Sequence, residues 1–525
     1  MIVNPILLQV FRNRFVAIAE EMGVTLGRTA FSPNIKERRD YSCALFDTNG
    51  DMIAQAAHIP VHLGSMPLSV KAAIAAMPMQ DGDMVMLNDP FAGGTHLPDI
   101  TLVAPIFVDG HRNPSFYVAN RAHHSDVGGM SPGSMPVATS IFQEGLIIPP
   151  TKIVVAGGID RNLFNLLLRN VRTPQEREGD FAAQVMANLT GVERSKQLVE
   201  KYGLQQTCDY AGYLNDYAEK MLRQTISAIP DGTYRFSDCL DSDGFSDQPV
   251  PLKLSLQISG DSAELDFRDC APQVRGSVNA VYAITLSAVL YCFRCLIKED
   301  VPTNAGIARP LTIHTKPGTV VDACFPAPVA GGNVETSQRI VDLILGALAQ
   351  AIPEQIPAAS QGTMNNTSIG GIDTRTGQPF SYYETLAGGC GASSQNNGAN
   401  AVHSHMTNTL NTPVEALEYA YPFRVTQYSL RADSGGQGKN TGGAGLIREI
   451  EMLADTEVTV LSERRVSVPY GLDGGLPGTA GQNLQITSKM SKKLPGKITK
   501  ELRAGDRLRI ETPGGGGWGE KPTNH

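Results

Sequence analysis

Cysteine is sparse in this chain, and the eight thiols are scattered so that only Cys292 and Cys295 form a C-x-x-C pair. With no second pair there is no complete zinc site of the thiolate kind. The pair lies in the helix-like run Val289-Leu290-Tyr291-Cys292-Phe293-Arg294-Cys295-Leu296 and reads as buried thiols. Positive charge is not in excess either: 44 Lys and Arg against 52 Asp and Glu leave a net charge of -8, which gives no pull toward nucleic acid or anionic membranes. No apolar run approaches the roughly 20 residues that span a bilayer. At the N-terminus the stretch from Ile6 to Phe11 is broken by Gln9 and flanked by Asn4, Pro5, Arg12 and Arg14, so it lacks a signal-peptide core. A cytoplasmic location is the expectation that follows.

A nucleotide loop is missing as well. Gly438-Lys439 lacks the upstream glycine of a Walker A motif, and Gly514, Gly516 and Gly519 match G-x-G-x-x-G only near the C-terminus, with no helix after them. In a chain with 53 glycines such matches arise by chance. Proline-rich or charged linkers and fixed-period repeats are also lacking. The length allows about three or four domain-sized units, but nothing separates them. The expected architecture is α+β: an interlocked β-rich body with packed helices, made of an N-terminal region 1–170, a helical insertion or dimerisation arm 171–228, and a C-terminal α+β region 229–525.

What the chain does have is polar chemistry gathered in glycine-rich loops. Asn88-Asp89-Pro90-Phe91-Ala92-Gly93-Gly94-Thr95-His96-Leu97-Pro98-Asp99-Ile100 is answered by Arg121-Ala122-His123-His124-Ser125-Asp126-Val127-Gly128-Gly129, and the strand-like runs 84–87, 100–108 and 116–119 stand beside them. In His96-Leu97-Pro98-Asp99 a turn fixed by Pro98 brings an imidazole and a carboxylate to one ion, His123 arrives from the next loop, and Asp40 is a fourth ligand. Mixed nitrogen and carboxylate ligation favours Mn²⁺, Fe²⁺ or Zn²⁺ over Mg²⁺ or Ca²⁺. An open coordination position would hold a water made acidic enough to serve as a hydrolytic nucleophile. The plainer alternative is a set of hydrogen-bonding loop residues, the ordinary role of a lone histidine.

Periodicity places the elements. Leu8, Phe11, Phe15, Ile18 and Met22 predict a helix over 7–24, and Asn49-Gly50 between the runs 41–46 and 52–54 predicts a hairpin. Helices are expected over 68–77, from Thr173-Pro174 through 224, over 278–296 and over 336–352, with alternating strands over 230–269 and short strands among glycine loops after 361.

Several further residues carry two readings each. Pro60 between His58 and His62 argues against a helical metal pair and leaves supporting or packing roles. His403-Ser404-His405 alternates like a strand that lines a pocket or lies on the surface. Glu384 is an acid/base beside the site or half of a structural ion pair, Cys390 a nucleophile without an assigned base, and Arg464-Arg465 an anion clamp or a structural pair. The loops Gly388-Gly389-Cys390-Gly391 and Gly435-Gly436-Gln437-Gly438 read as tight turns or as anion-binding nests.

The motifs Glu37-Arg38-Arg39-Asp40-Tyr41-Ser42, His58-Ile59-Pro60-Val61-His62-Leu63-Gly64-Ser65-Met66, both loops above, Gly331-Gly332-Asn333-Val334-Glu335-Thr336-Ser337, Tyr383-Glu384-Thr385 and Pro513-Gly514-Gly515-Gly516-Gly517 stand in order along the chain. In these the chain resembles the hydantoinase B family, the metal-bearing subunits of ATP-dependent N-methylhydantoinases, 5-oxoprolinases and caprolactamases, related to acetone and acetophenone carboxylases. The resemblance implies metal ligation by Asp40, His96, Asp99 and His123, with His124 and Asp126 as catalytic neighbours that orient them. It also implies a larger hydantoinase A-type partner that binds ATP and phosphorylates the amide oxygen, in a hetero-oligomer. A ketone carboxylase subunit and a non-catalytic, metal-stabilised scaffold are the alternatives. Phe91 and Ala92 stand where many members have Tyr and a basic residue, and Thr441 where Arg is common, so the substrate is left open.

Overall fold

Phe11, Phe15, Ile18, Met22 and Leu26 recur every three or four positions, and Pro5–Thr29 folds as a helix (α1) that buries this stripe. Asn4 caps it, its side-chain oxygen accepting from the N–H groups of Ile6 and Leu7. The computed structural model describes residues 3–56, 58–108 and 110–521. After a single turn, α2 (Pro33–Lys36), the hairpin forms as expected from β1 (Tyr41–Phe46) and β2 (Met52–Gln55), with Gly50 at φ +77° in the turn.

With β3 (Met84–Leu87), β4 (Asp99–Ile106), β5 (Phe116–His123), β6 (Thr151–Val155) and β7 (Gly158–Ile159) these strands make a seven-stranded sheet in the order β2-β1-β5-β4-β3-β6-β7. Its neighbouring strands run antiparallel, yet β1, β3, β4 and β5 are buried along their whole length. Such strands read as continuous apolar runs because both faces are covered. Ala44, Phe46, Val85 and Val103 pack with Met66, Val70 and Ala73 of α3 (Ser65–Ala76), whereas Cys43, Leu45, Leu102 and Val118 join α1 in the main core.

After α4 (Arg161–Arg169), the long helices α5 (Pro174–Tyr202) and α6 (Leu204–Ile226) occupy the segment read as an insertion or arm. Rather than standing off, α5 lies across β4 and β5. Its face carries Phe181 for the core, and Gln184 and Asn188 donate to the carbonyls of Ile100 (2.9 Å) and Leu102 (3.1 Å), so the helix is tied to the two strands that carry the loops of interest.

A second sheet, β8 (Gly232–Leu240), β9 (Val250–Ser259), β10 (Ser262–Asp266) and β11 (Leu311–His314), takes the order β11-β10-β9-β8. Strand β9 alternates buried and exposed residues, burying one face against α8 (Ser337–Leu348), which is buried all round and packs on α7 (Tyr282–Leu296). A π-helical turn, Gly332–Thr336, leads into α8, so the helical run opens before the expected 336, and its α-helical part ends at Leu348, short of the expected 352. In α7, Cys292 is buried as expected while Cys295 is exposed.

The C-terminal region holds a four-stranded sheet built on β12 (Asn366–Asp373) and β13 (Gln378–Glu384), and a five-stranded one. The fold is α+β. Between them the glycine loops pass backbone against backbone: a Cβ on Gly389 would lie 1.9 Å from the carbonyl oxygen of Gly443, and one on Gly515 1.9 Å from that of Cys390. Gly389 N–H donates to Pro513, Gly443 to Cys390, Gly515 to Gly443 and Gly436 to Gly515, so these donors are spent on carbonyls and form no anion nest. His403-Ser404-His405 is loop rather than strand, with His405 at φ +59°.

One partly buried group sets a pH limit. His58 packs edge-on against Tyr41, and its Nδ1 accepts the N–H of Cys43 at 3.1 Å, which requires a neutral ring; burial, helped by His62, lowers it from 6.5 to about 4. The depressed value means the neutral form stabilises the fold fully above pH 6.5, and that contribution is lost as pH falls toward 4. A slope of up to about 1.4 kcal/mol per pH unit is expected from this group. His58→Asn keeps an acceptor for Cys43 but cannot titrate, so urea unfolding from pH 7 to 4.5 is expected to show a flatter decline than wild type; an identical slope excludes His58 as its source.

Candidate metal centre

Asp99 opens β4 and His123 closes β5, and the antiparallel register sets the two residues directly opposite one another. His96 joins them from the preceding turn, in which Asp99 N–H donates to the His96 carbonyl at 3.1 Å. The loop before it is shaped by Asn88, whose side chain donates to the carbonyls of Leu97 (2.8 Å) and Leu146 (2.9 Å) and accepts from Ile148 N–H (2.6 Å). Gly93 sits at φ +90° with the Leu68 carbonyl oxygen 2.6 Å from where a Cβ would be, so no side chain fits there.

The result is a triangle of donor atoms: His96 Nε2 and His123 Nδ1 each lie 3.1 Å from Asp99 Oδ1 and 3.2 Å from each other. All three residues are buried, and no other group of three or more His, Cys, Asp or Glu among the described residues converges in this way. Adjacent ligands about 2.1 Å from one ion in octahedral geometry stand about 3.0 Å apart, so the spacing fits a divalent cation.

The proton inventory points the same way. His96 Nδ1 faces the Ala330 carbonyl at 3.3 Å and needs its hydrogen there, which leaves Nε2 of the neutral ring bare against the Asp99 oxygen. Two lone pairs at that distance repel unless a proton or a metal cation lies between them. Burial opposes ionisation of Asp99, but His96, His123 and His62 hold its carboxyl well below the usual range. Its other oxygen, Oδ2, accepts from Thr95 Oγ1 (2.7 Å) and faces His62 Nε2 (3.4 Å), whose Nδ1 in turn meets Ser42 Oγ at 2.8 Å. Oδ1 is thereby left for the centre.

Asp40 lies outside the triangle, but it lines the same cavity, and its carbonyl accepts the N–H of His123 at 3.0 Å. The cavity, of about 20 Å³, is walled by Ile59, Val61, Val334, Met364 and Met406, with Tyr383 stacked on His123 at 4.5 Å. Asn333, from the π-helical turn, places Nδ2 3.0 Å from His96 Nε2, and its Oδ1 is buried without a partner among the described residues.

Three of the expected catalytic residues face elsewhere. His124 follows His123 at a strand end and points to the opposite side, toward α5, where Nε2 meets Gln184 Oε1 at 3.0 Å and the ring packs on Phe181; burial lowers it to about 4. Asp126 pairs with Arg172 at 2.8 Å and accepts that residue's N–H, closing the loop after β5. Glu384 lies between Tyr383 and Thr385, which line the cavity, and so points away from it to pair with Arg448 at 3.4 Å and accept from the Tyr382 hydroxyl at 3.0 Å. Arg464 is paired with Asp238 and Asp342, and Arg465 donates to Asn365 and Asn483, a structural arrangement in both cases. Burial raises the Cys390 thiol, and it is not part of the centre. Thr95 and Asn333 were missed, although each stands inside a motif: one beside His96, the other after Gly331-Gly332.

Fold and centre together define a protein of the hydantoinase B/oxoprolinase class: residues 4–521 match the family model of that description, and the chain belongs to the family, as its motifs led us to expect. It is 42% identical over 98% of its length to an uncharacterised protein of Methanocaldococcus jannaschii, 91% of which is covered. It is 40% identical to 5-oxoprolinase 1 of Arabidopsis thaliana and 38% to the 5-oxoprolinase of Saccharomyces cerevisiae, and spans 42% of the length of each. A Pseudomonas protein provisionally named as the B component of a D-/L-hydantoinase shares 30% identity, with 98% of this chain and 90% of that one covered. Among solved structures, the ATP-dependent caprolactamase from Pseudomonas jessenii superposes with a TM-score of 0.92 at 28% identity over 99% of this chain and 92% of that one. An acetone carboxylase shares the fold, with a TM-score of 0.91 at 20% identity over 98% and 76% of the two chains. The chain therefore spans well under half of the 5-oxoprolinases it matches.

The geometry predicts a graded loss of ion binding. Thr95→Val removes the hydroxyl that occupies Asp99 Oδ2 and is expected to weaken Mn²⁺ binding about tenfold, while His96→Ala abolishes it. Calorimetric titration of the metal-stripped chain measures both; a His96→Ala protein that binds Mn²⁺ as wild type does rules out the centre.

Proposed function

We propose that this chain is the metal-bearing subunit of an ATP-dependent cyclic-amide hydrolase, opening a hydantoin, 5-oxoproline or lactam ring together with an ATP-binding partner of hydantoinase A type. The triangle of His96 Nε2, His123 Nδ1 and Asp99 Oδ1 carries this reading. The family and the names of its members, among them 5-oxoprolinase, D-/L-hydantoinase and ATP-dependent caprolactamase, support the reaction class.

In this reading His96, Asp99, His123 and Asp40 hold the ion. A bound Mn²⁺, Zn²⁺ or Fe²⁺ supplies Lewis acidity and lowers the pKa of water at the site. Thr95 and His62 keep Asp99 Oδ2 occupied, so that Oδ1 faces the centre, and the Ala330 carbonyl accepts a hydrogen bond from His96 Nδ1, so that Nε2 faces the centre beside Asn333 Nδ2. Tyr383 fixes the plane of the His123 ring, and the free Oδ1 of Asn333 accepts a proton-bearing group of the reactants. The apolar walls exclude bulk water, which strengthens each of these contacts.

An unstrained amide is a poor electrophile because its nitrogen lone pair is delocalised into the carbonyl. Transfer of the ATP γ-phosphoryl group to the amide oxygen, on the partner, removes that obstacle. Water then adds to the activated carbon and the C–N bond breaks as the nitrogen takes a proton, leaving an acyl phosphate, which a second water hydrolyses to the carboxylate and inorganic phosphate. A cavity of about 20 Å³ admits one water but not a ring, so the walls around Met406 and Val61 must part for the substrate.

Copurification with the partner, followed by assays of hydantoin, 5-oxoproline and caprolactam, tests the proposal. Ring opening coupled to ADP and phosphate release is expected, independent of bicarbonate and reduced at least 100-fold by His96→Ala. Turnover that requires bicarbonate and a ketone identifies a carboxylase instead, and full activity of His96→Ala excludes a catalytic ion.

A further inference from the structure

We propose that Glu144 is a positioning residue for the metal centre, fixing the orientation and tautomer of His96 through the backbone of residues 329–330. The inference rests on the metal reading above and adds to it a residue 48 positions from His96 in sequence that does not line the cavity.

Glu144 is fully buried. Its Oε2 accepts the N–H of Val329 at 3.1 Å and its Oε1 that of Ala330 at 3.0 Å, and burial, opposed by these two bonds, pushes the carboxyl up from 4.5 to about 8. A buried carboxyl held by backbone donors alone is costly to keep. Those two bonds are one end of a clamp whose other end is the Ile141 N–H donating to Pro326 O at 3.1 Å, so the turn 141–144 grips the segment 326–330 at both ends.

The segment reaches His96 on both sides. The carbonyl of Ala330 accepts from Nδ1 at 3.3 Å, and three residues later the π-helical turn brings Asn333 Nδ2 within 3.0 Å of Nε2. With its proton committed to Ala330, the neutral imidazole directs the Nε2 lone pair at the centre. If Ala330 moves, the proton is free to sit on Nε2, and the ring becomes a poorer ligand. Glu144 does for His96 through a backbone carbonyl what a carboxylate bonded directly to a ligating imidazole does elsewhere.

The test uses the full chain stripped of metal by chelation and titrated with Mn²⁺ and Zn²⁺. Glu144→Gln turns an amide NH₂ toward a backbone N–H, and Glu144→Asp keeps the carboxyl but withdraws it by one methylene. Both are expected to fold, as judged by circular dichroism, and to bind the ions 10- to 100-fold more weakly, with a shifted visible spectrum when Co²⁺ replaces them. A purely structural role lowers the melting temperature and leaves affinity alone; Gly23→Ala, which crowds His58 far from this segment, is the control for that behaviour. Affinities within twofold of wild type in both Glu144 variants overturn the inference and leave the metal centre standing. A wild-type chain that binds no divalent ion overturns both.

Discussion

A carboxylate and two imidazoles placed face to face in a dry interior form the contact on which the rest of the structure depends. Asp99 and His123 meet because β4 and β5 pair in one register, and a shift by a single residue would send one of them to the other face of the sheet. That register is held from outside: Gln184 and Asn188 of α5 bond to β4 carbonyls, and Asn120 of β5 donates to Asn188 Oδ1 at 2.8 Å. The long helix is therefore part of the support of the site, which is why it packs on the sheet and does not project from it.

Two buried cations show the same economy. Arg121, two residues before His123, donates to Thr101, Ser65 and Ser69 at 2.6–2.8 Å, and Ser65 and Ser69 pass the contact on to the carbonyls of Val61 and Gly93. Arg38 donates to the carbonyl of Tyr383 and the hydroxyl of Thr385, with its guanidinium 5.0 Å over the Tyr383 ring. Neither forms an ion pair among the described residues. Hydroxyl and carbonyl dipoles solvate them instead: Arg121 ties the strand that ends at His123 to residues 52 and 56 positions upstream, and Arg38 ties the turn before β1 to residues 345 and 347 positions downstream.

Much of this was legible in the sequence. The hairpin at Asn49-Gly50, the helices at 5–29 and 282–296 and the strands beside the histidine loops follow from local periodicity and turn chemistry, which need no knowledge of distant partners. The spacing of His96 and Asp99 and the arrival of His123 were legible for the same reason. His124, Asp126 and Glu384 were not, because which way a residue points at a strand end depends on where the strand stops: one position decides whether a ring meets the cavity, as Tyr383 does, or an arginine behind it, as Glu384 does. His403 and His405 looked like a strand face, but the backbone turns through φ +59° at His405 and sends them to Asn411 and Tyr291. Glu144 and Asn333 act across 48 and 237 residues of sequence on His96, distances over which no periodicity carries information.

The walled cavity has a kinetic meaning. With its donor residues at 0 to 3% exposure, the centre lies beneath side chains that crowd the way in and out. An ion held there would exchange only as fast as the walls breathe, so its residence would be set by the packing of Met406 and Val61 as much as by the donors that grip it.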